Sequence, residues 1–123
     1  MSKLNFEKMG DNERYAFLIE SAVKNREIWL LKATEGMYAM LEDDNGNQYI
    51  PVWPEMKAAA DYANDGWEDY TTDRMGIGEY LEWMNELDED KILVAAFPIT
   101  GKPIIPINPK VIKEHISNEM NAD

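Results

Sequence analysis

The chain has 123 residues, of which 24 are acidic and one is a histidine, so carboxylates are abundant and imidazole is scarce. His115 alone cannot build a multi-histidine metal site, and it leaves one imidazole at most for proton transfer. Ser2, Ser21 and Ser117 stand in no nucleophile-elbow motif, so a serine triad is not signalled and His115 is expected to be a structural residue. Glu79, Glu82 and Glu86 recur at the spacing of one helical stripe and could supply a glycosidase-like carboxylate pair, although such stripes are ordinarily the wetted face of a helix. Glu42-Asp43-Asp44-Asn45-Gly46-Asn47 has calcium-ligand residue types. Counting from Asp43, however, puts Gln48 where the loop needs glycine and Pro54 where it needs a bidentate glutamate. Gly76-Ile77-Gly78 lacks a preceding apolar strand and a third glycine, so it starts a helix and is not a phosphate loop. With no cysteine there is no disulfide, thiolate metal site or cysteine nucleophile. No cofactor, no metal and no catalytic residue are expected.

Four tryptophans, Trp29, Trp53, Trp67 and Trp83, are the most distinctive feature. An indole can fill a core or, with its N–H reachable, anchor a binding surface. Trp29 lies inside a predicted central strand and is expected in the core. Trp53, between Pro51 and Pro54, and Trp67, in a polar acidic connection, are expected to be partly exposed. The binding residues expected on this reading are Trp53, Trp67, Tyr70, Glu79 and Glu82.

The formal net charge is −12, and it is concentrated. Residues 42–90 carry 15 acidic side chains against Lys57 and Arg74 alone, a net of −13, while the rest of the chain nets +1. Such a segment repels phosphate backbones and anionic membranes and favours basic partners; it also serves ordinary solubility. Neither nucleic acid nor membrane is expected as a partner. Residues 1–8 lack the apolar stretch of a signal peptide, and no later run reaches the ~20 apolar residues that span a bilayer. A cytoplasmic location is therefore expected.

Periodicity predicts the elements that must position these side chains. Asp11 caps a predicted helix to about Arg26, with Tyr15, Leu18, Ile19, Ala22 and Val23 on one face. A central strand follows at Ile28 to Lys32, apolar on both faces, with Gly36 marking the turn out of it. Strands at Met37 to Leu41 and Gln48 to Trp53 flank an Asn-Gly hairpin turn. Pro51 marks a strand edge or end, and Pro54 starts a helix to about Asn64 that Gly66 stops. A connection with a short strand at Tyr70 to Thr72 leads to a helix from Ile77 to Glu86. Lys91 to Phe97 reads as a central strand, Ile104 to Ile107 as an edge strand, and Asn108-Pro109 opens a last helix carrying Ile112, His115, Ile116 and Met120. The fold class is α+β: one domain over 1–123, an antiparallel or mixed sheet of about five strands with helices packed against it, and flexible ends at 1–10 and 121–123.

Ile28-Trp29, Gly36, Ile50-Pro51-Val52-Trp53-Pro54, Trp67, Ile77 to Trp83 and Ile92 to Pro98, taken in order, resemble the bacterial family catalogued as domain of unknown function 2750. Leu30 stands where that family often has a glycine, and Met84-Asn85 where it often has Leu-Pro. The resemblance implies a small cytosolic α+β domain and brings no catalytic residues with it. The strand-Pro-aromatic-helix corner and Ile107-Asn108-Pro109 are more faintly similar to the N-terminal domain of the SseB-type enhanced serine sensitivity proteins.

Two functions from different classes fit these residues. The first is a non-enzymatic protein-binding or regulatory module offering an acidic, tryptophan-bearing surface to a basic protein, for example as an immunity protein or inhibitor. The second is a small-molecule binder or hydrolase-like enzyme using a pocket beside Trp53, with Glu79 or Glu82 as acid and base. Self-association into a homo-oligomer through an exposed sheet edge is a further expectation.

Overall fold

A computed structural model describes residues 8–64 and 66–121. The expected flexible ends fall partly outside this range, at 1–7 and 122–123. The described residues form α1 (Asp11–Asn25), β1 (Glu27–Ala33), β2 (Leu41–Glu42), β3 (Gln48–Val52), α2 (Met56–Ala63), β4 (Tyr70–Gly76), α3 (Ile77–Glu89), β5 (Leu93–Ala96), β6 (Pro106–Ile107) and α4 (Pro109–Asn121). This is a single α+β domain, as the periodicity predicts.

Gly10, not Asp11, is the N-cap of α1. Its N–H is satisfied from within the first turn by Glu13 Oε1 at 3.1 Å, which leaves the Asp11 carboxylate to turn onto Arg14, 3.1 Å away. The helix stops at Arg26, whose φ of 58° ends it without a glycine.

β1 pairs antiparallel with β4 on one side. On the other it meets two separate pieces of chain: Ala33 N–H donates to the Met37 carbonyl and Ala39 N–H to the Leu31 carbonyl, and further along Trp29 and Trp53 exchange reciprocal N–H···O bonds of 2.9 Å. Met37 to Ala39 therefore folds back on β1 through the turn at Gly36 (φ 97°), and the expected long hairpin arm shrinks to the two residues of β2. β3 runs parallel to β5, and β5 runs antiparallel to β6, so the sheet is mixed. The Trp29–Trp53 exchange welds the β1–β4 ladder to the β2–β3–β5–β6 ladder. β4 is longer than the expected Tyr70–Thr72 because backbone pairing with β1 continues through Asp73 and Arg74, whose polar side chains give no apolar signal.

Side-chain alternation assigns the layers. Trp29, Leu31 and Ala33 share a face with Arg74, Thr72 and Tyr70, and on this face the Trp53 ring meets Tyr62 of α2, with ring centroids 5.3 Å apart. Ile28, Leu30 and Lys32 share the opposite face with Met75, Asp73 and Thr71. There Tyr38 meets Trp83 of α3 at 5.1 Å, and α3 packs in turn on α4, and α4 on α1. β1 is buried from both sides, at Ile28, Leu30 and Leu31, as its uninterrupted apolar run predicts.

Trp53, between Pro51 and Pro54, belongs to the hydrophobic core. Trp53 is 0% exposed, and its indole N–H donates to the Pro98 carbonyl at 3.0 Å. Phe97 N–H donates to the Val52 carbonyl, and the Phe97 carbonyl accepts from Nη1 of Arg14, itself 1% exposed, at 2.9 Å. Phe97 has a φ of 46°, a conformation costing roughly 1–2 kcal/mol for a non-glycine residue, and it is held there by bonds to Val52 and Arg14 and by the Trp53 bond to the next residue, Pro98. The expected partial exposure of Trp53 is therefore corrected: the ring closes the junction between strand and helix.

This geometry predicts that Trp53→Phe, which keeps an aromatic ring but orphans the Pro98 carbonyl, lowers stability in urea unfolding by about 1–3 kcal/mol. Trp53→Ala should cost about 3–5 kcal/mol. Losses below about 0.5 kcal/mol for both variants would show that the indole does not hold the corner.

Candidate functional site

The five residues expected to form one surface are placed in three locations. Trp53 is in the core. Trp67 and Tyr70 are half-buried and stack edge to face at 5.1 Å on the α2 side of the β1–β4 ladder. Glu79 and Glu82 are exposed on α3, which covers the other side. The tertiary structure thus keeps the acidic stripe apart from both of the tryptophans chosen to accompany it.

A different aromatic pair meets the stripe. Glu79, Glu82 and Glu86 border a hollow of about 260 Å³ whose other lining residues are Tyr38, Met75 and Trp83. Trp83 follows Glu79 by four residues and so belongs to the same helical face, a spacing already visible in the sequence. Tyr38 reaches the hollow because it pairs with Lys32 of β1 in an isolated antiparallel bridge, a register that leaves no signal in side-chain periodicity. The phenol donates to Asp73 Oδ2 at 3.2 Å, and Lys32 Nζ stands 5.4 Å from the ring centroid. Burial first, and then the negative charges of Asp73 and Glu79, hold the Tyr38 hydroxyl above its ordinary pKa, so it stays a protonated donor through the physiological range.

His115 and Trp29 are each engaged by a neighbouring side chain. His115 is exposed on α4, where Tyr15 Oη and His115 Nδ1 are 2.6 Å apart across the α1–α4 groove. Burial pushes the Tyr15 phenol up to about 12, so it remains a proton donor and cannot serve as a base near neutrality. Trp29, expected in the core, is instead partly buried against it, because its Nε1 is drawn to Glu27 Oε2 at 2.8 Å, and Glu27 in turn pairs with Arg74.

The Asp43 turn explains the calcium-like residue types. Asp43 Oδ1 accepts the N–H groups of Asn45 and Asn47, both at 2.9 Å, and Oδ2 accepts from Asn47 Nδ2 at 3.0 Å and from the Tyr49 hydroxyl at 2.7 Å. The carboxylate organises its own hairpin, with Gly46 supplying the positive φ of 85° that the turn demands. Among the described residues no three His, Asp or Glu side chains converge as a metal site requires. No described helix is long and apolar enough to cross a membrane.

A family model described as "Protein of unknown function (DUF2750)" matches residues 15–116. The chain belongs to this family. The match runs from α1 into α4, and so takes in the Arg14-anchored corner apart from Arg14 itself, the whole sheet and the Tyr38–Trp83 hollow. No curated protein matches the chain. The family's description assigns no activity. The hollow of this chain combines the Tyr38 and Trp83 rings with three carboxylates, a lining suited to a cationic group.

The Asp43 turn yields a pH prediction. Hydrogen bonds from the Tyr49 hydroxyl, and then from Asn47, hold the Asp43 carboxyl at about 2, below its ordinary value of 3.8. A depressed folded-state pKa means that the contribution is fully present above about pH 4, and is lost as pH falls toward 2. Thermal melts should show a shallower drop between pH 4 and 2 for Asp43→Asn than for the wild type. Parallel curves would rule out this carboxylate as an acid-sensitive element.

Proposed function

We propose that this DUF2750 protein is a non-enzymatic binding module that receives a basic segment of a partner protein in the hollow formed by Tyr38, Trp83, Glu79, Glu82 and Glu86. The observation that carries the reading is the placement of three carboxylates of one helical stripe beside the Tyr38–Trp83 ring pair. A lysine or arginine side chain laid on Trp83 would gain a cation–π contact, and its charge would face the glutamates. The net charge of −12 supports this choice of partner, because a negative field steers cationic surfaces toward encounter. The lack of cysteine fits a reducing compartment, and the cytoplasm is the location proposed. A pocket beside Trp53 for a small molecule or a hydrolytic reaction is not favoured, because that ring is sealed in the core.

The test is titration of the protein with a lysine- and arginine-rich peptide, following tryptophan fluorescence. The expected result is binding at low salt that weakens steadily as salt rises. The double variant Glu79→Gln/Glu82→Gln should bind about fivefold more weakly, the effect of removing exposed ion pairs worth a few tenths of a kcal/mol to about 1 kcal/mol each. Trp83→Phe should remove most of the fluorescence change. Equal affinities for wild type and double variant, or affinity indifferent to salt, would sink the proposal.

A further inference from the structure

Among the described residues β4 pairs with β1 alone, which leaves its outer edge without a strand partner. Trp29, Leu31 and Ala33 direct their main-chain groups away from β4, toward Trp53, Ala39 and Met37, so the alternate residues Ile28, Leu30 and Lys32 bond to their partners Met75, Asp73 and Thr71. It follows that Thr72 and Arg74 point their N–H and C=O groups outward. No turn, cap or loop group among the described residues covers either of them. Tyr70 is outward too, its N–H being taken by the Trp67 carbonyl at 3.0 Å, while no turn, cap or loop N–H among the described residues donates to its own carbonyl. The stretch Tyr70-Thr71-Thr72-Asp73-Arg74-Met75-Gly76 contains no proline or lysine, and its two charged residues, Asp73 and Arg74, are engaged by Tyr38 and Glu27 on their own chain.

We propose that this edge pairs antiparallel with the same edge of a second copy of the chain, about a two-fold axis through Thr72. Side-chain chemistry selects the register. A two-fold axis at Asp73 would place two carboxylates side by side, and one at Arg74 two guanidinium groups, both of which are penalised. With the axis at Thr72, the two Thr72 residues face each other and exchange a reciprocal pair of main-chain bonds. At either end the Tyr70 carbonyl accepts from the N–H of the partner's Arg74. On the α2 side, Tyr70 then lies opposite the partner's Arg74, a cation–aromatic pair, and Arg74 is half-exposed despite its ion pair with Glu27. On the α3 side, Thr71 lies opposite the partner's Asp73, a donor opposite an acceptor. Every cross-strand pair is complementary, and the interface is isologous, as two-fold symmetry requires. The opposing force is the net charge of −12 on each copy, which repels its duplicate.

This proposal is independent of the basic-partner reading, and salt separates the two. Sedimentation of the full chain over a concentration series should show the mass rising from 14.2 kDa toward twice that value, and the transition should move to lower concentration as NaCl is raised to about 0.3 M, since screening relieves the repulsion. Binding of a basic peptide should weaken over the same salt range. Thr72→Pro removes an outward N–H without touching the β1 ladder and should stay monomeric, with circular dichroism matching the wild type. Because the chain has no cysteine, Thr72→Cys and Asp73→Cys each carry a single thiol. Under a mild diazene oxidant, Thr72→Cys should crosslink to a covalent dimer at least about tenfold faster than Asp73→Cys, because only position 72 meets itself at a Cα separation of about 5.5 Å. A wild type that remains a monomer at all concentrations and salts would overturn the proposal. So would an Asp73→Cys variant that crosslinks as fast as Thr72→Cys, which remains a decisive measurement even if Thr72→Pro fails to fold.

Discussion

Two adjacent main-chain carbonyls, those of Phe97 and Pro98, set the terms for the rest of this fold. They lie beyond the end of β5 in the interior, where an unpaired carbonyl costs about as much as several kilocalories of stability in the least favourable cases. The chain answers with two long side chains from distant elements, the Arg14 guanidinium and the Trp53 indole. Because each donor must reach its carbonyl, the rotation of α1 and the end point of β3 are fixed together. The reciprocal Trp29–Trp53 bonds then carry that placement into β1, and through β1 into β4. One polar requirement thus connects a helix, both ladders and a backbone turn of unfavourable φ.

The consequences extend to the outer surface. With Trp53 and α2 covering one side of the β1–β4 ladder, α3 must cover the other, and its apolar residues Ile77, Tyr80, Met84 and Leu87 turn inward. The glutamates, one helical face away, are left toward solvent at the border where Tyr38 folds back on β1. The acidic hollow is therefore a by-product of how β1 is shared between two partners along one edge. That same sharing leaves β4 with β1 as its one strand neighbour among the described residues, and turns the main-chain groups of Thr72 and Arg74 outward.

Much of this was legible beforehand, for identifiable reasons. All four helices declared themselves through apolar spacing, because each has one face in the core and one in water. β1 and β5 were legible as buried strands from continuous apolar runs. The glutamate stripe and its neighbour Trp83 were also available from spacing alone. β4 was legible only at its start, because Thr71, Thr72, Asp73 and Arg74 are held in the sheet by main-chain bonds that are indifferent to side-chain polarity. The burial of Trp53 is not legible, because flanking prolines suggest a turn, and turns are usually exposed; here the indole N–H turns inward to the Pro98 carbonyl.

The sequence by itself determined the element types, the α+β class, the concentration of negative charge between residues 42 and 90, and the absence of thiol chemistry, since all of these follow from local composition and periodicity. Only the tertiary structure decided which indole lies inside, which ring accompanies the glutamates and which strand edge remains open. Those are matters of long-range register, and in a sheet a shift of one residue exchanges the two faces, so no local pattern can specify them.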